Sequence, residues 1–408
     1  MNSPNPGLTI GLLTGGQDKS YALGLTGALT AQDITVEFVG SDGLDDPSLR
    51  NDPQVRFLNL RGDQSEAAPA LVKARRLCAY YVRLVQYAAA TSAPVLHILW
   101  NNKFEHLDRT IVMWMYRALG KRVVLTAHNV NAAKRDGVDT RLNRLTLRLQ
   151  YALCHHVFVH SRKLKDELMR DFGVRDERVS VIPFGLNATT PDTALTPAEA
   201  RTRLGLAADE RVVLCFGQIA PYKGLEYLLP ALEHLAERGL PVRLLIAGKV
   251  KRGHEDYWRD LERRASDTRL RHLVSTYVRF VPDDEVEVFF KAADAVVLPY
   301  TNIFQSGVPF LAYAYGVPVV ATDVGSLRED VIEDVTGYVC PPRDPEALAG
   351  AIDRFFGSAL YQQREDRRAT IREIAEQRHS WRRVGEITRA AYRQTLAGDA
   401  SEAGAPAR

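Results

Sequence analysis

Cysteine is scarce: the 408 residues hold four, Cys78, Cys154, Cys215 and Cys340, none of them in a CxxC spacing. That excludes a disulfide framework and a zinc ribbon. Lone thiols inside apolar runs, such as VVLCFG around Cys215, are expected to be buried and reduced. No run of about 18 apolar residues occurs, so nothing is expected to span a membrane. The opening MNSPNPGLTIGLL lacks a basic segment ahead of a long apolar one. No secretory signal is therefore read there, and the expected location is the cytoplasm or, peripherally, the inner face of the cell membrane. Neither GxGxxG nor GxxxxGK[ST] is present, and no repeat is visible. A hydrophobic fraction of 46% with 25% charged residues excludes disorder over most of the length.

Acidic residues are rare in one stretch. The whole chain carries +3, but residues 73–148 hold 14 basic and 4 acidic side chains. Aromatics and long apolars interleave there: Tyr80, Tyr81, Tyr87, Trp114, Met115 and Tyr116. Arg75, Arg76 and Arg83 lie near the first group, and Arg109, Arg117, Lys121 and Arg122 flank TIVMWMY. Two readings stand: an N-terminal core with a solvated basic rim, or a face that meets anionic lipid or a phosphorylated acceptor. No nucleic-acid module is recognisable, and none is expected as a partner.

The chain alternates short continuous apolar runs with helical patterns. LTIGLL, ITVEFVG, VRFLNL, VLHILW, RVVLTAH, HVFVHS and VSVIPF read as strands of the first half. After the polar, proline-bearing GLNATTPDTALTP the pattern restarts with VVLCFGQ, VRLLIAGK, YVRFV, AVVLPY, VPVVATD and GYVCPP. Unbroken apolar strands belong to parallel sheets covered on both faces. The fold class is therefore α/β, with two Rossmann-like parallel-sheet domains. The expected divisions are an N-terminal domain over 1–188, a linker over 189–199 and a C-terminal domain over 200–365. A charged helix over 366–396 either ends the second domain or crosses back to the first, and a disordered tail fills 397–408. Ligands of such sheets bind beyond the carboxyl ends of the strands, and two such domains imply a cleft between them.

Five loops after strands therefore draw attention. Gly15 and Gly16 follow the first strand and allow close backbone approach to a ligand, or form a plain βα turn. His128 follows RVVLTA and suits a hydrogen bond to a hydroxyl or phosphate, or general base work, or else satisfies a loop carbonyl. Gln218 ends the first strand of the second half, and Lys223-Gly224 precede a long amphipathic helix. A lysine there is unfavourable to the helix dipole unless an anion joins it; an ordinary solvated lysine is the other reading. Gln305-Ser306-Gly307-Val308 precede FLAYAYG, where free N–H groups can bind a diphosphate or Ser306 can act as a cap. Glu329 lies in the loop after VPVVATD.

In order, these segments resemble the GT-B glycosyltransferases, specifically glycosyltransferase family 4 (group 1). The similarity rests on VIPFGLN, FGQIAPYKGLEYLLPAL, LLIAGK, FVPDDEVEVFFKAADAVVLPY and YAYGVPVVATDVGSLREDVIEDVTGYVCPPRDPEALAGAI, with TAHN and the Gly15-Gly16 loop in the first half. The resemblance implies a nucleotide-sugar donor held by the C-terminal half, an acceptor held by the N-terminal half, retention of anomeric configuration and no metal or other cofactor. It implies that His128 contacts the donor sugar and that Lys223 and the N–H groups of 306–308 meet the diphosphate, with Gly15, Gly16, Gln218, Gln305 and Glu329 also on the donor. The acceptor would be a sugar or a lipid-linked sugar. The 42 arginines against 11 lysines hint at a GC-rich bacterium, which favours cell-surface polysaccharide or lipid-linked oligosaccharide assembly. Three departures stand out. Gln218 replaces the family's usual arginine, and Ile303 and Leu311 occupy the two positions where the family carries glutamates. A catalytically silent GT-B subunit and a same-fold sugar-nucleotide epimerase or phosphorylase are the alternatives.

Overall fold

The computed structural model describes residues 7–65, 68–135, 138–186, 190–266 and 269–402. Two compact units divide it, one made of the N-terminal part together with the segment from Ser380 onward, the other ending at His379.

The first unit is a parallel sheet of seven strands: β1 (Thr9–Leu13), β2 (Thr35–Gly40), β3 (Val55–Asn59), β4 (Val95–Ile98), β5 (Arg122–Thr126), β6 (His156–Val159) and β7 (Val179–Val181). Their spatial order is β3-β2-β1-β4-β5-β6-β7. The second unit holds β8 (Val212–Phe216), β9 (Arg243–Ala247), β10 (Val274–Tyr277), β11 (Ala295–Leu298), β12 (Val319–Thr322) and β13 (Gly337–Cys340), ordered β10-β9-β8-β11-β12-β13. Counted within each unit, both sheets run 3-2-1-4-5-6, the first adding a seventh strand at the end; this is the doubly wound order whose ligand crevice opens where the direction of winding reverses. The reversal falls between β1 and β4 in the first unit and between β8 and β11 in the second. The residues just past those four strands are the ones the topology singles out. Central strands β4, β11 and β12 are buried along their whole length, in keeping with their largely apolar sequences.

Most strands end one to three residues short of the runs read as strands, because the last residues of those runs turn into the loops. YVRFV is a correction. The strand is Val274–Tyr277, and Phe280 lies 71% exposed beyond it. The helix expected over 366–396 is two helices, Arg364–His379 and Trp381–Glu402. The second runs six residues into the expected tail of 397–408 and replaces disorder there. Residue 189 of the expected linker and 403–408 of the expected tail lie outside the described residues. The helix Pro197–Arg203 begins inside the expected linker, closed by a capping box between Thr196 and Glu199.

The Trp381–Glu402 helix belongs to the first unit's core. Val384, Ala391 and Tyr392 are buried with Ile10, Leu25, Val95 and Phe158. A Cβ built at Gly24 or Gly185 would come within 2.2 Å of the Trp381 ring, and the Trp381 Nε1–H donates to the Leu186 carbonyl at 2.8 Å. The Tyr392 hydroxyl meets His97 Nδ1 at 2.6 Å, and His97 Nε2 meets Thr126 Oγ1 at 2.8 Å. Burial pushes the His97 imidazole down to about 3, so it is neutral at pH 7.

Cys154, Cys215 and Cys340 are buried, and burial pushes the Cys154 thiol up to about 12. Cys78 is exposed, against expectation, because it faces outward on the helix Ala70–Ala90. The aromatic stretch also divides: Tyr80 and Tyr116 are core, Tyr87 donates to Glu37, and Trp114 is exposed.

Candidate active site

In the first unit the loop after β1 closes against the loop after β4. Gly15 has φ +61°, and a Cβ there would lie 2.7 Å from the Trp100 carbonyl oxygen. Only glycine fits, and the close approach seen is to the protein's own Trp100 loop. Gly16 donates its N–H to Thr14 Oγ1 at 3.2 Å. Arg61 Nη1 donates to the Gly15 carbonyl at 2.9 Å and to Asn102 Oδ1 at 3.2 Å.

Beside them His128, just past β5, stacks on the Trp100 indole at 4.4 Å with 2° between the planes. Tyr21 meets it edge-on at 4.7 Å. Its Nδ1 lies 3.0 Å from His160 Nε2, and His160 Nδ1 lies 3.4 Å from the Ile182 carbonyl oxygen. Burial pushes His160 down to about 4 and His128 well below the usual imidazole range, so both rings are neutral. A carbonyl only accepts, so His160 carries its proton on Nδ1 and accepts on Nε2. His128 must then carry its proton on Nδ1. Its Nε2 is left as a lone pair, covered by protein and without a partner among the described residues. This histidine is set to accept a hydrogen bond, not to donate one. It lines a pocket of about 210 Å³ with Gln17, Trp100, Asn101, Arg109 and Gln150. Arg109 Nε is likewise buried without a partner.

In the second unit Lys223 is buried at the β8–β11 reversal. Its ammonium donates to the Tyr300 hydroxyl and sits 4.0 Å over the Tyr300 ring. Burial lowers its pKa. A Cβ at Gly217 would lie 3.8 Å from Lys223 Nζ and 3.8 Å from Val308 Cγ2, so the lysine, the β8 loop and the 306–308 loop adjoin. Gly224 has φ +68°, and a Cβ there would lie 1.9 Å from the Pro299 carbonyl oxygen. That contact fixes the KG turn against the end of β11. The Tyr300 hydroxyl is 3.5 Å from Ser306 Oγ, which accepts the Val308 N–H at 3.3 Å. Ser306 therefore caps the turn and stands beside the cation at once.

The other proposed donor residues spread around this point. Gln305 Nε2 donates to Asp330 Oδ2 at 3.4 Å, while its Oε1 is buried without a partner among the described residues. Ser326 Oγ donates to the same Asp330 oxygen at 3.0 Å, and burial pushes the Asp330 carboxyl up to about 7. Glu329 is exposed, and Gln218 is exposed. Ile303 and Leu311 are both buried with the core, so these two positions present no polar group.

Sequence reasoning missed Trp100, His160, Tyr300 and Asp330. The three that follow strands directly, Trp100, His160 and Tyr300, had a signal: each lies one or two residues past a strand end. Asp330 had none, because its partners Gln305 and Ser326 meet it only through loop packing.

Family models match over both units: "Glycosyltransferase Family 4" over residues 19–190 and "Glycosyl transferases group 1" over 210–358. The D-inositol 3-phosphate glycosyltransferase of Saccharomonospora viridis is 30% identical over 302 residues, 70% of this chain and 68% of that protein. The enzyme of the same name from Xylanimonas cellulosilytica is 34% identical over 197 residues, 47% of this chain and 46% of that one. The chain spans about half the length of several of the curated relatives it matches. Among solved structures, sucrose-phosphate synthase from Thermosynechococcus elongatus superposes with a TM-score of 0.74 at 22% identity, covering 96% of this chain and 100% of that one. Anabaena HepE in complex with UDP and glucose gives 0.72 at 18%, covering 95% and 100%. At such identities the likeness is one of fold, and the fold is GT-B. The chain belongs to the family 4, group 1 glycosyltransferases.

Proposed function

We propose that the protein transfers a sugar from a nucleoside-diphosphate sugar, UDP- or GDP-linked, to an acceptor hydroxyl, with retention at the anomeric carbon and without a metal ion. The observation that carries this is Lys223: a buried ammonium with no carboxylate partner among the described residues, placed where a doubly wound sheet receives its ligand. Such a charge costs free energy unless an anion joins it. A diphosphate is the anion this fold's relatives handle; Anabaena HepE is solved with UDP and with UDP-glucose.

In the step proposed, the bond from the anomeric carbon to the β-phosphate oxygen breaks and its electron pair leaves with the diphosphate. Lys223 stabilises that charge as it develops, beside the N–H groups of 306–308. The acceptor oxygen bonds to the same face of the oxocarbenium-like carbon, and its proton passes to the departing phosphate oxygen. His128 Nε2 accepts a hydrogen bond from a sugar hydroxyl. The acceptor is a sugar or a lipid-linked sugar of bacterial cell-surface assembly, used at the cytoplasmic side of the membrane; relatives named for D-inositol 3-phosphate support a polyhydroxylated acceptor.

A thermal-shift screen of nucleotide sugars tests the donor. A ligand at a hundredfold excess over Kd adds about 2.7 kcal/mol, or about 5–10 °C in a domain of this size. Mass-spectrometric detection of sugar transfer, with and without EDTA, tests the rest. No shift with any UDP- or GDP-sugar, or activity abolished by EDTA, overturns the reading. Buried Ile303 and Leu311 in place of carboxylates favour one second reading, a silent GT-B subunit; a donor that binds but never turns over would select it.

A further inference from the structure

Apart from Val278 and Phe280, every exposed large hydrophobic side chain described lies between Leu71 and Leu149, inside or at the edge of the stretch with 14 basic and 4 acidic residues. The helix Arg141–Leu153 carries polar residues on its inner face and leucines on its outer one. Its polar residues face the protein: Asn143 bonds Arg109 at 2.8 Å, Thr146 bonds His106 at 3.0 Å and Gln150 bonds Asn101 at 3.0 Å. Leu147 and Tyr151 also face inward, but Leu142, Leu145 and Leu149 face water and form one stripe at helical spacing, with Leu145 64% exposed. Arg141, Arg144 and Arg148 stand beside that stripe, all exposed. The neighbouring segment Asp108–Ala118, which packs on this helix, adds Ile111 and Trp114. The helix Ala70–Ala90, whose Tyr81 hydroxyl donates to Asp108, adds Val82 and Val85.

The described acidic residues of the stretch are held by protein. Asp108 is buried, Glu105 pairs with Arg109, and Asp139 pairs with Arg144. Among the described residues neither Arg75, Arg141 nor Arg148 makes an ion pair. The outer face is thus apolar and cationic together. Its apolar side chains, the leucine stripe included, stand among exposed arginines. That suits a bilayer's headgroup boundary, where leucine and tryptophan enter and guanidinium groups stay with phosphates.

We propose that this face of the first unit, carried by the outer sides of Ala70–Ala90, Asp108–Ala118 and Arg141–Leu153, docks on an anionic phospholipid bilayer. The docking is peripheral: no described helix is long and apolar enough to cross a membrane. It stands apart from the catalytic reading, because vesicle binding needs no donor. It names the surface by which a lipid-linked acceptor would be met.

The test is co-sedimentation of the full chain with vesicles of phosphatidylcholine alone or with phosphatidylglycerol added, across a salt series. The protein should pellet with the anionic vesicles at low salt and leave them as salt rises. Arg141→Gln and Arg148→Gln should each lower the partition coefficient about fivefold. Leu145→Ser should lower it about tenfold. These residues are exposed, so unchanged melting checks the fold of each variant. Should a variant fail to fold, quenching of native tryptophan fluorescence by brominated anionic lipid, lost in the conservative Trp114→Phe, shows directly whether this face enters the bilayer. Binding absent from both vesicles, equal on both, indifferent to salt, or unchanged in the variants overturns the proposal, as does quenching retained in Trp114→Phe.

Discussion

Replacing Lys223 with methionine removes a charge and keeps the length of the stem. In the native protein the ammonium touches the Tyr300 hydroxyl and ring, and burial lowers its pKa below the usual 10.5. Losing the hydrogen bond costs about 1–3 kcal/mol. Removing an unpaired buried cation returns a desolvation cost of several kcal/mol. Without ligand the two effects offset, and the melting temperature should hold or rise. With a diphosphate leaving, the balance reverses. The charge that develops loses its cation, which costs about 3–4 kcal/mol of transition-state stabilisation and lowers kcat about 10²–10³-fold. Protonation follows the same sign. The unfolded chain binds a proton on this lysine up to pH 10.5 and the folded chain releases it earlier, so this group makes stability rise with pH inside that window. The Met variant should lose that slope. The assays are initial rates with the donor identified by screening, and melting curves at several pH values. Near-native turnover refutes the assignment of Lys223. So does a loss of activity that only follows a loss of fold.

Tyr392→Phe should lower stability by about 1–3 kcal/mol, because it leaves His97 Nδ1 buried without its 2.6 Å partner; thermal denaturation reads this as a lower melting temperature. Acid should weaken the first unit early. His97 and His160 are pushed down to about 3 and about 4; the unfolded chain binds protons on them below pH 6.5 and the folded chain does not. Each should cost on the order of 2 kcal/mol at pH 5, seen as a falling urea midpoint between pH 6.5 and 5; a midpoint flat over that range would refute it. Gly224→Ala should destabilise by about 3 kcal/mol or more, since its Cβ meets the Pro299 carbonyl at 1.9 Å and φ is +68°. A soluble variant melting like the native protein would contradict that contact. His128→Phe keeps the stack on Trp100 but removes the acceptor Nε2 and leaves His160 Nε2 buried without its 3.0 Å partner, so sugar transfer should fall about tenfold or more and stability by about 1–3 kcal/mol. Unaltered transfer would show that Nε2 meets no hydroxyl.

The alternation of parallel strands and helices in two halves was legible in the sequence, because a strand buried on both faces must be mostly apolar, as β11 is throughout and β4 is but for His97. The sequence also placed Gly15, His128, Lys223 and Ser306 past strand ends, since loops in this class follow strands at fixed points. Lys223 beside Gly224 was legible because a lysine so near a helix start is anomalous unless something anionic joins it. Relations between segments distant in sequence came from packing alone. The Trp381–Glu402 helix returns to the first unit's core because Gly24 and Gly185 leave room for an indole. No periodicity within 364–402 reports that vacancy. His128 was expected to serve as a donor or base at large, and its role as an acceptor came from the chain His128, His160 and Ile182, three loops whose hydrogen-bond directions are fixed by one carbonyl. The basic stretch was ambiguous for the same reason. Helical spacing gives two faces but not which one meets the core, and here Tyr80 and Tyr116 went in while Leu142, Leu145 and Trp114 stayed out. A side chain's inward or outward choice is set by what the neighbouring elements can satisfy, and on Arg141–Leu153 the neighbours Arg109, His106 and Asn101 offered hydrogen bonds to Asn143, Thr146 and Gln150 beside the buried Leu147 and Tyr151.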